Sequence, residues 1–497
     1  MTLPAVATVV LAVLWLGYRF YGRFVAAQFG LDDGRATPAV AVNDGVDFVP
    51  TGRFYLLGQH FSAIAAAGPI VGPILAAQQF GWLPCLLWIG LGVVFIGAVH
   101  DFSTLVTSVR HEGKSIAQVI RLEIGHKAWV AMMAFIWLAL LYVILAFTDV
   151  TASSFTGRTE DLAGLRTGFN QGGAVALASV LYLCLSMVLG IVDRALKPPL
   201  WLSTLVFVPA TLGCVWLGTQ YSTLLVASAQ TWGVLILAYC FAASLTPVWV
   251  LLQPRGYLGG FVLYMALAVG VAGIFFGGFA VEQPAFRTWQ AGGATGSLFP
   301  FLFVTIACGA CSGFHGLVCS GTTSKQVARE SDCRPVGYGG MLLEAFVALI
   351  ALSTVMIATG PDLATKGPSL VYAEGLGRYL AAFLGPEHLV FATTFGAMAF
   401  STFVFDTLDV STRLGRYILQ ELFSRSGRAS AVGATLFTVL IPLAWLIVAG
   451  EGAFRLFWTL FGTSNQLLAA LSLLGISVWL RRLRRPTAFT LLPMAFV

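Results

Sequence analysis

Charged residues are scarce in this 497-residue chain. Asp, Glu, Lys and Arg make up 10% of it, whereas hydrophobic residues make up 58% and the mean hydropathy is +0.85. Average globular proteins contain about 25% charged residues, so the composition excludes an ordinary water-soluble domain. The net charge of +6 is spread over short loops and not gathered in one patch or tail, so we expect no nucleic acid partner.

Several motifs of soluble enzymes are also missing. The chain has no Walker loop, no dinucleotide-binding glycine fingerprint and no His-Glu-x-x-His zinc motif. Its eight cysteines are scattered and suggest no disulfide framework. We therefore expect no ATPase and no cofactor, so any work that the protein does would have to draw its energy from an ion gradient or from downhill flow.

Long apolar runs dominate what remains. Runs of roughly 18 residues or more are long enough to cross a bilayer as a helix, and the chain has about thirteen. They cover 4–22, 58–80, 84–108, 128–149, 172–192, 200–218, 224–246, 257–279, 298–320, 338–359, 388–405, 431–449 and 455–480. The sequence predicts an all-α polytopic membrane protein with about 13 transmembrane helices.

The basic residues between the runs indicate the orientation. When successive loops alternate sides, 21 of the 28 Lys and Arg residues fall on one side and Arg19 lies within the first run. The other side holds six: Arg158, Arg166, Arg287, Lys366, Arg378 and Arg455. Cytoplasmic loops carry the excess of positive charge, so we expect the N-terminus outside and the C-terminus in the cytoplasm. The stretch 115–124, with its apolar side, is predicted to be a cytoplasmic helix on the membrane surface.

Two of the predicted spans are unsuited to a plain helix. The run 58–81 contains the pairs Gly68-Pro69 and Gly72-Pro73, and proline removes a backbone donor and kinks a helix. The run 299–323 turns from apolar residues to glycines, serines, threonines and His315 after Cys308. At membrane depth such backbone is tolerated only beside protein or a water-filled cavity. We predict interruptions near Gly68–Pro73 and Cys308–Gly321 in two adjacent helices, with a merely kinked first span as the alternative.

The two interrupted spans are the second and ninth in order. They therefore enter the membrane from opposite sides, as the inverted repeats of secondary transporters require. Transporters of that kind place substrate and coupling-ion sites at such interruptions.

Four motifs carry a family resemblance. They are HFSAIAAAGPIVGPILAAQQFGWLP, GAVHDFSTLVTSVRHEGKSIAQVI, FPFLFVTIACGACSGFHGLVCSGTTSKQVARESDCRPVGYGGMLLEAFVALIAL and LFGTSNQLLAAL. They closely resemble the carbon starvation protein CstA family over residues 50–125 and 298–480. The resemblance implies an inner-membrane secondary transporter with the LeuT-like five-plus-five inverted-repeat core of the APC superfamily. Members are described as taking up peptides or pyruvate, with proton coupling in the pyruvate case.

The expected division of the chain follows from this resemblance. Residues 1–57 would form a peripheral first span and cytoplasmic loop, and 58–297 the first repeat plus extra spans. Residues 298–480 would form the second repeat, and 481–497 a cytoplasmic tail. The expected partners are a small-molecule substrate and membrane lipid, and a homo-oligomer is also considered.

The predicted binding residues lie in and around the interruptions. Backbone N–H groups at the start of a helix are open donors in a positive field, which suits a carboxylate. The candidates for substrate or ion binding are Gly68, Pro69, Gly72, Pro73, Ser312, Gly313, His315, Ser320, Gly321, Thr322, Thr323 and Glu344, with His60, Asp101, Asp406 and Asn465 as secondary candidates.

The ionisable candidates leave alternatives open. His315 either carries a proton or touches the substrate, or it is a neutral ring that bonds an unwound carbonyl. Glu344 is either a proton carrier or the partner of Arg413 or Arg334 in an ion pair.

Other acidic residues are expected to form local pairs. Asp101 is expected to pair with a basic residue of the following loop, because neighbours such as His100 and Asp101 point in different helical directions. Asp409 and Arg413 have the four-residue spacing of a helix-surface pair.

The predicted function is import of a small carboxylate-bearing solute, pyruvate or a short peptide, by proton symport. Sodium coupling to an amino acid or peptide is one alternative. An intramembrane metal-dependent enzyme is another, because Cys308, Cys311, His315 and Cys319 would share one face of an unbroken helix. The intervening glycines argue against that helix, so no metal site is predicted.

Overall fold

The computed structural model of the chain is built from α-helices. It describes residues 2–45, 47–157, 168–291, 296–425, 427–449 and 454–497, so Arg158 and Arg166 lie outside the described residues. Ten helices in these ranges are long and apolar enough to cross a membrane. They are Leu3–Phe29, Trp82–Arg110, His126–Ser154, Gln171–Leu196, Leu200–Gln220, Leu252–Phe276, Glu330–Met356, Pro386–Leu422, Arg428–Val448 and Leu456–Arg482.

Shorter helices complete the described part of the chain. Two of them, Arg53–Ile64 and Gly68–Phe80, meet at a 48° bend and together make an eleventh candidate span. The others are Pro38–Val42, Ile116–Glu123, Ala229–Leu245, Leu298–Thr305, Gly313–Gly321, Pro368–Leu384 and Ala488–Phe496. The count of about 13 is therefore not reached by helix length and composition in the described residues, because Ala229–Leu245 is short and 298–321 is split.

The helix Pro368–Leu384 occupies a stretch that the sequence predicts as a loop. It has 17 residues and begins with proline in its first turn, where the missing N–H costs nothing. Its charged residues, Glu374 and Arg378, kept it below the hydropathy expected of a span.

The chain divides into two compact units. Unit 1 comprises Met1–Ile136, Pro284–Leu352 and Thr459–Val497, and unit 2 comprises Trp137–Gln283 and Ser353–Trp458. Each unit draws on both halves of the sequence. The predicted repeats follow chain order and the units follow contacts, so the repeat boundaries stay a prediction.

Within unit 1, small residues let the two interrupted spans approach closely. A Cβ added to Gly68 would lie 2.5 Å from the Cys308 sulfur, and one added to Gly72 would lie 2.5 Å from the Thr305 carbonyl oxygen. Without a hydrophobic driving force between helices in lipid, such close backbone packing holds them together. The prediction that the two broken spans lie beside each other is confirmed.

Candidate functional site

The first interruption lies just before the Gly-Pro pairs. The helix Arg53–Ile64 ends, and a new helix begins at Gly68, with Pro69 in its first turn and Pro73 inside it. The prediction of a break at Gly68–Pro73 is thus wrong by a few residues. The first N–H groups of a helix have no partner within it, so proline starts this half-helix instead of ending one.

The second interruption separates Leu298–Thr305 from Gly313–Gly321. It covers residues 306–312, the early part of the predicted break, and Gly316 and Gly321 lie in the helix that follows. The indole of Trp88 donates a hydrogen bond of 3.1 Å to the Ile306 carbonyl oxygen inside the break. A side chain thereby satisfies one backbone group that the broken helix cannot.

Asn465 caps the half-helix after this break. Its Oδ1 accepts the backbone N–H of Phe314 at 2.8 Å, and its Nδ2 lies 3.1 Å from Ser312 Oγ and 3.3 Å from Cys308 Sγ. Asn465 and Ser312 are both buried. These two predicted candidates thus meet at the start of the helix Gly313–Gly321, where an acceptor faces the positive end of the helix dipole.

In the first turn of the same half-helix, His315 lies between two buried carboxylates. Its Nδ1 is 2.8 Å from Asp101 Oδ2, and its Nε2 is 3.1 Å from Glu344 Oε2. All three side chains are at most 1% exposed. The contact to Glu344 is a charge contact without hydrogen-bond geometry, and Glu344 Oε1 has no hydrogen-bond partner within the described ranges.

His100 extends this group, which we call the His315 cluster (His100, Asp101, His315 and Glu344). Its Nδ1 lies 2.8 Å from the second oxygen of Asp101. A neutral imidazole has one N–H and a protonated one has two. Because both ring nitrogens of His315 face carboxylates, the cluster can hold a proton on the ring or on a carboxylate.

The expected pairing of Asp101 is wrong, and of the two alternatives for Glu344 the ion pair with an arginine is not observed. Asp101 pairs with His100 and His315, not with a basic residue of the following loop. Adjacent residues on a helix do diverge, but the Asp101 carboxylate still reaches the ring of His100. Glu344 contacts His315, whereas the Arg334 guanidinium stacks 4.6 Å from the centre of the Tyr18 ring.

His60 lies close to this cluster. Its Nδ1 is 2.9 Å from Thr323 Oγ1, and its Nε2 is buried without a hydrogen-bond partner among the residues described. One possible metal-ligand atom from each of His60, Asp101 and Cys319 lies within 4.8 Å of the other two, which is close enough to hold a metal ion. Each oxygen of Asp101 already lies 2.8 Å from a histidine Nδ1, so a metal ion here would compete with two existing hydrogen bonds.

The four-residue metal face considered from the sequence does not form. Cys308 and Cys311 lie in the break, outside the helix that carries His315 and Cys319. All three cysteines are buried free thiols.

The remaining candidates in unit 1 lie at helix contacts or towards the surface. Gly68, Pro69, Gly72, Pro73 and Gly313 are buried at helix contacts. Ser320 Oγ accepts the backbone N–H of Ile116 at 2.9 Å, which ties this half-helix to the helix Ile116–Glu123. Thr322 is exposed, and its hydroxyl donates to the Val318 carbonyl oxygen. Nothing lies within 4 Å of a Cβ added to Gly321.

The secondary candidate Asp406 belongs to unit 2 and forms a different cluster. Its Oδ1 accepts from Nε and Nη2 of Arg255 at 2.8 and 2.5 Å. Arg255 is fully buried, although the sequence placed it in a cytoplasmic loop. The predicted pair of Asp409 with Arg413 is wrong, because Asp409 binds Arg255 and Tyr239 while Arg413 donates to backbone carbonyls. A single arginine near the start of an apolar run gave no sequence signal of burial.

Comparisons with known proteins agree with the motif resemblance. The family model described as "Carbon starvation protein CstA" matches residues 3–363 and 357–497. Peptide transporter CstA of Helicobacter pylori is 34% identical over 539 residues, which cover 95% of this chain and 76% of that protein. Pyruvate/proton symporter BtsT of Escherichia coli is 32% identical over 573 residues, covering 95% and 77%.

A solved structure shows the fold. MhsT in complex with L-phenylalanine superimposes with a TM-score of 0.51 at 14% identity, covering 88% of this chain and 95% of that one. This likeness supports the predicted LeuT-like fold of a multi-pass membrane protein and says nothing about the ligand. By its family-model match and its relatives over most of its length, the chain belongs to the carbon starvation protein CstA family.

Proposed function

We propose that this protein is a secondary active transporter of the inner membrane that imports a small carboxylate-bearing solute together with a proton. The observation that carries the proposal is His315, whose two ring nitrogens face the buried carboxylates of Asp101 and Glu344. Intramembrane ionisable groups of this kind mark proton relays. The relatives named as peptide transporter and as pyruvate/proton symporter support import of a carboxylate-bearing solute, and the second also supports proton coupling.

The charge of the cluster gives a reason for coupling. Two carboxylates and one imidazolium leave one net negative charge in a buried site, and one further proton removes it. Unpaired charge is costly away from water, so proton uptake stabilises the closed site. Sodium would need several oxygens at once, whereas, of the carboxylate oxygens of the His315 cluster, only the two of Glu344 lack a hydrogen-bond partner in the described chain. One of those two already faces His315 Nε2.

The start of the helix Gly313–Gly321 is the proposed binding position of the solute carboxylate. In this structure the amide oxygen of Asn465 accepts the Phe314 N–H. A carboxylate is a stronger acceptor at a helix N-terminus than a neutral amide. We infer that the solute carboxylate takes the place of Asn465 Oδ1 when the site is loaded.

Uptake into proteoliposomes with an imposed pH gradient and no sodium tests proton coupling. His315→Ala and Glu344→Gln are each expected to abolish accumulation of the solute above equilibrium. His388→Ala and Glu387→Gln are matched controls, because both of these side chains are more than half exposed, and they are expected to leave accumulation unchanged. Full pH-driven accumulation in both cluster variants, or uptake driven by sodium alone, contradicts the proposal.

The same vesicles separate a transporter from an intramembrane enzyme. Labelled pyruvate, alanine and dipeptides are offered in competition, and the accumulated solute is recovered and identified. A transporter returns the solute chemically unchanged, whereas conversion to a product supports the enzyme alternative. The relatives do not favour that alternative.

A further inference from the structure

Unit 2 contains a second buried cluster of charged residues, which shares no residue with the His315 cluster. The Arg255 guanidinium, on the helix Leu252–Phe276, is fully buried. Its Nε and Nη2 donate to Oδ1 of Asp406, and its Nη1 contacts Oδ2 of Asp409. Both aspartates lie on the helix Pro386–Leu422. One buried cation therefore faces two acids.

Other polar and charged groups lie near Asp409, and the Arg413 guanidinium is a further cation among them. Tyr239 donates a hydrogen bond of 2.8 Å from its hydroxyl to Asp409 Oδ2 and accepts one of 2.7 Å from Arg255 Nη1. Tyr182 donates to the Arg255 carbonyl oxygen. The remaining titratable or charged groups near Asp409 are Cys240 and Arg413. The Arg413 guanidinium donates to the carbonyl oxygens of Ala243 and Thr246.

The two aspartates differ in their surroundings. Asp406 accepts two guanidinium N–H groups on one oxygen, and its side chain is 27% exposed. Asp409 is 3% exposed, and its Oδ1 is buried with no hydrogen-bond partner in the described part of the chain. A buried, unpartnered anionic oxygen is costly, and a neutral carboxylic acid is much less so.

We propose that Asp409 is a second proton-binding residue of this protein, which exchanges a proton with water while Asp406 stays ionised as the counter-ion of Arg255. The step forms one O–H bond on the Asp409 carboxylate with a proton from water and breaks no other bond. A metal cation fits this cluster poorly, because the guanidinium already occupies the side of the carboxylates where a cation would bind. The inference goes beyond the proposed transport site and does not depend on His315.

Infrared spectroscopy of the full-length protein in lipid vesicles tests the proposal. Difference spectra between acidic and alkaline buffer are recorded for the wild type, Asp409→Asn and Asp406→Asn. We expect a pH-dependent carboxylic acid carbonyl band in the wild type that is lost in Asp409→Asn and kept in Asp406→Asn. The proposal is overturned if Asp409→Asn retains the full band, and Glu344→Gln identifies any band that belongs to the His315 cluster.

Thermal unfolding of the same variants provides an independent measurement. Asparagine mimics a neutral aspartic acid, so Asp409→Asn is expected to keep the unfolding midpoint of the wild type. Asp406→Asn removes the counter-ion of a buried arginine and is expected to lower the midpoint clearly. The reverse order, or failure of Asp409→Asn to fold, would show that Asp409 is the ionised partner and would overturn the proposal.

Discussion

Asp101 is a fully buried carboxylate whose two oxygens each accept from a histidine ring. The desolvation of such a group costs several kcal/mol unless its partners are well placed. Its hydrogen bond to Nδ1 of His315 leaves the other ring nitrogen, Nε2, facing Glu344. Asp101 is thus both a structural counter-ion and the residue that positions the proposed proton carrier.

Asp101→Asn is expected to lower the free energy of unfolding by about 1–3 kcal/mol, because the single amide oxygen replaces two carboxylate acceptors and leaves one buried histidine N–H without a partner. Asp47→Asn is the control, because Asp47 is 67% exposed and its Oδ2 lies 3.9 Å from Lys325 Nζ. Such a surface pair contributes about 0–1 kcal/mol. Denaturant unfolding in detergent measures both, and equal effects would contradict the buried-pair interpretation.

Asn465→Asp tests the proposed carboxylate position. A fixed carboxylate at the start of the helix Gly313–Gly321 would stabilise the capped state by roughly 0.3–2 kcal/mol. The KM for uptake is therefore expected to rise roughly 2- to 30-fold, by the same range of helix-dipole energies. Asn465→Ala removes the cap and is expected to leave the KM unchanged or lower. A lower KM in Asn465→Asp would show that the solute does not compete for this place.

The sequence identified some of these residues and missed others for physical reasons. His315 and Glu344 stand out because they are ionisable groups inside apolar runs. The contact of His315 with Asp101 joins residues 214 positions apart, and a single sequence carries no signal of that pairing. The sequence predicts Arg255 in a loop, because burial of one arginine depends on acids that lie about 150 residues further along the chain.

At the level of the elements, the sequence predicts that the two spans are broken but misses the residues of the first break by a few positions. Glycine and proline at membrane depth indicated interruptions, and both occur. The first lies before Gly68, because proline is compatible with the first turn of a helix and incompatible with its continuation from Ile64. The helix Pro368–Leu384 was missed because it is too short and too charged to register as a span.

Gly68→Ala is expected to destabilise the contact between the broken spans. Its Cβ would lie 2.5 Å from Cys308 Sγ and Cβ, and overpacking of this kind costs about 1–3 kcal/mol. Gly433→Ala, on the helix Arg428–Val448, is the matched control, since nothing lies within 4 Å of the added Cβ. The midpoint of thermal unfolding should fall in the first variant and not in the second. Equal midpoints would mean that the two spans can move apart to accommodate the added methyl group without a loss of stability.

For the whole molecule, the distribution of positive charge predicts which ends face the cytoplasm. The C-terminal segment carries Arg481, Arg482, Arg484 and Arg485, and such clusters stay on the cytoplasmic side. A green fluorescent protein fused to the C-terminus is therefore expected to fluoresce, and alkaline phosphatase fused there is expected to be inactive. Phosphatase inserted within 277–283, on the predicted outer side, should be active. The opposite pattern would reverse the orientation.

The hydrogen bond from Ile116 to Ser320 ties the helix Ile116–Glu123 to the half-helix that carries His315. At its other end, Arg482 binds the side chain and backbone carbonyl of Glu123. If Gly313–Gly321 moves when the solute binds, this helix must move with it or lose that bond. Binding equilibria linked in this way are reciprocal. A ligand that holds Ile116–Glu123 in place would weaken solute binding by the same factor by which the solute weakens the binding of that ligand.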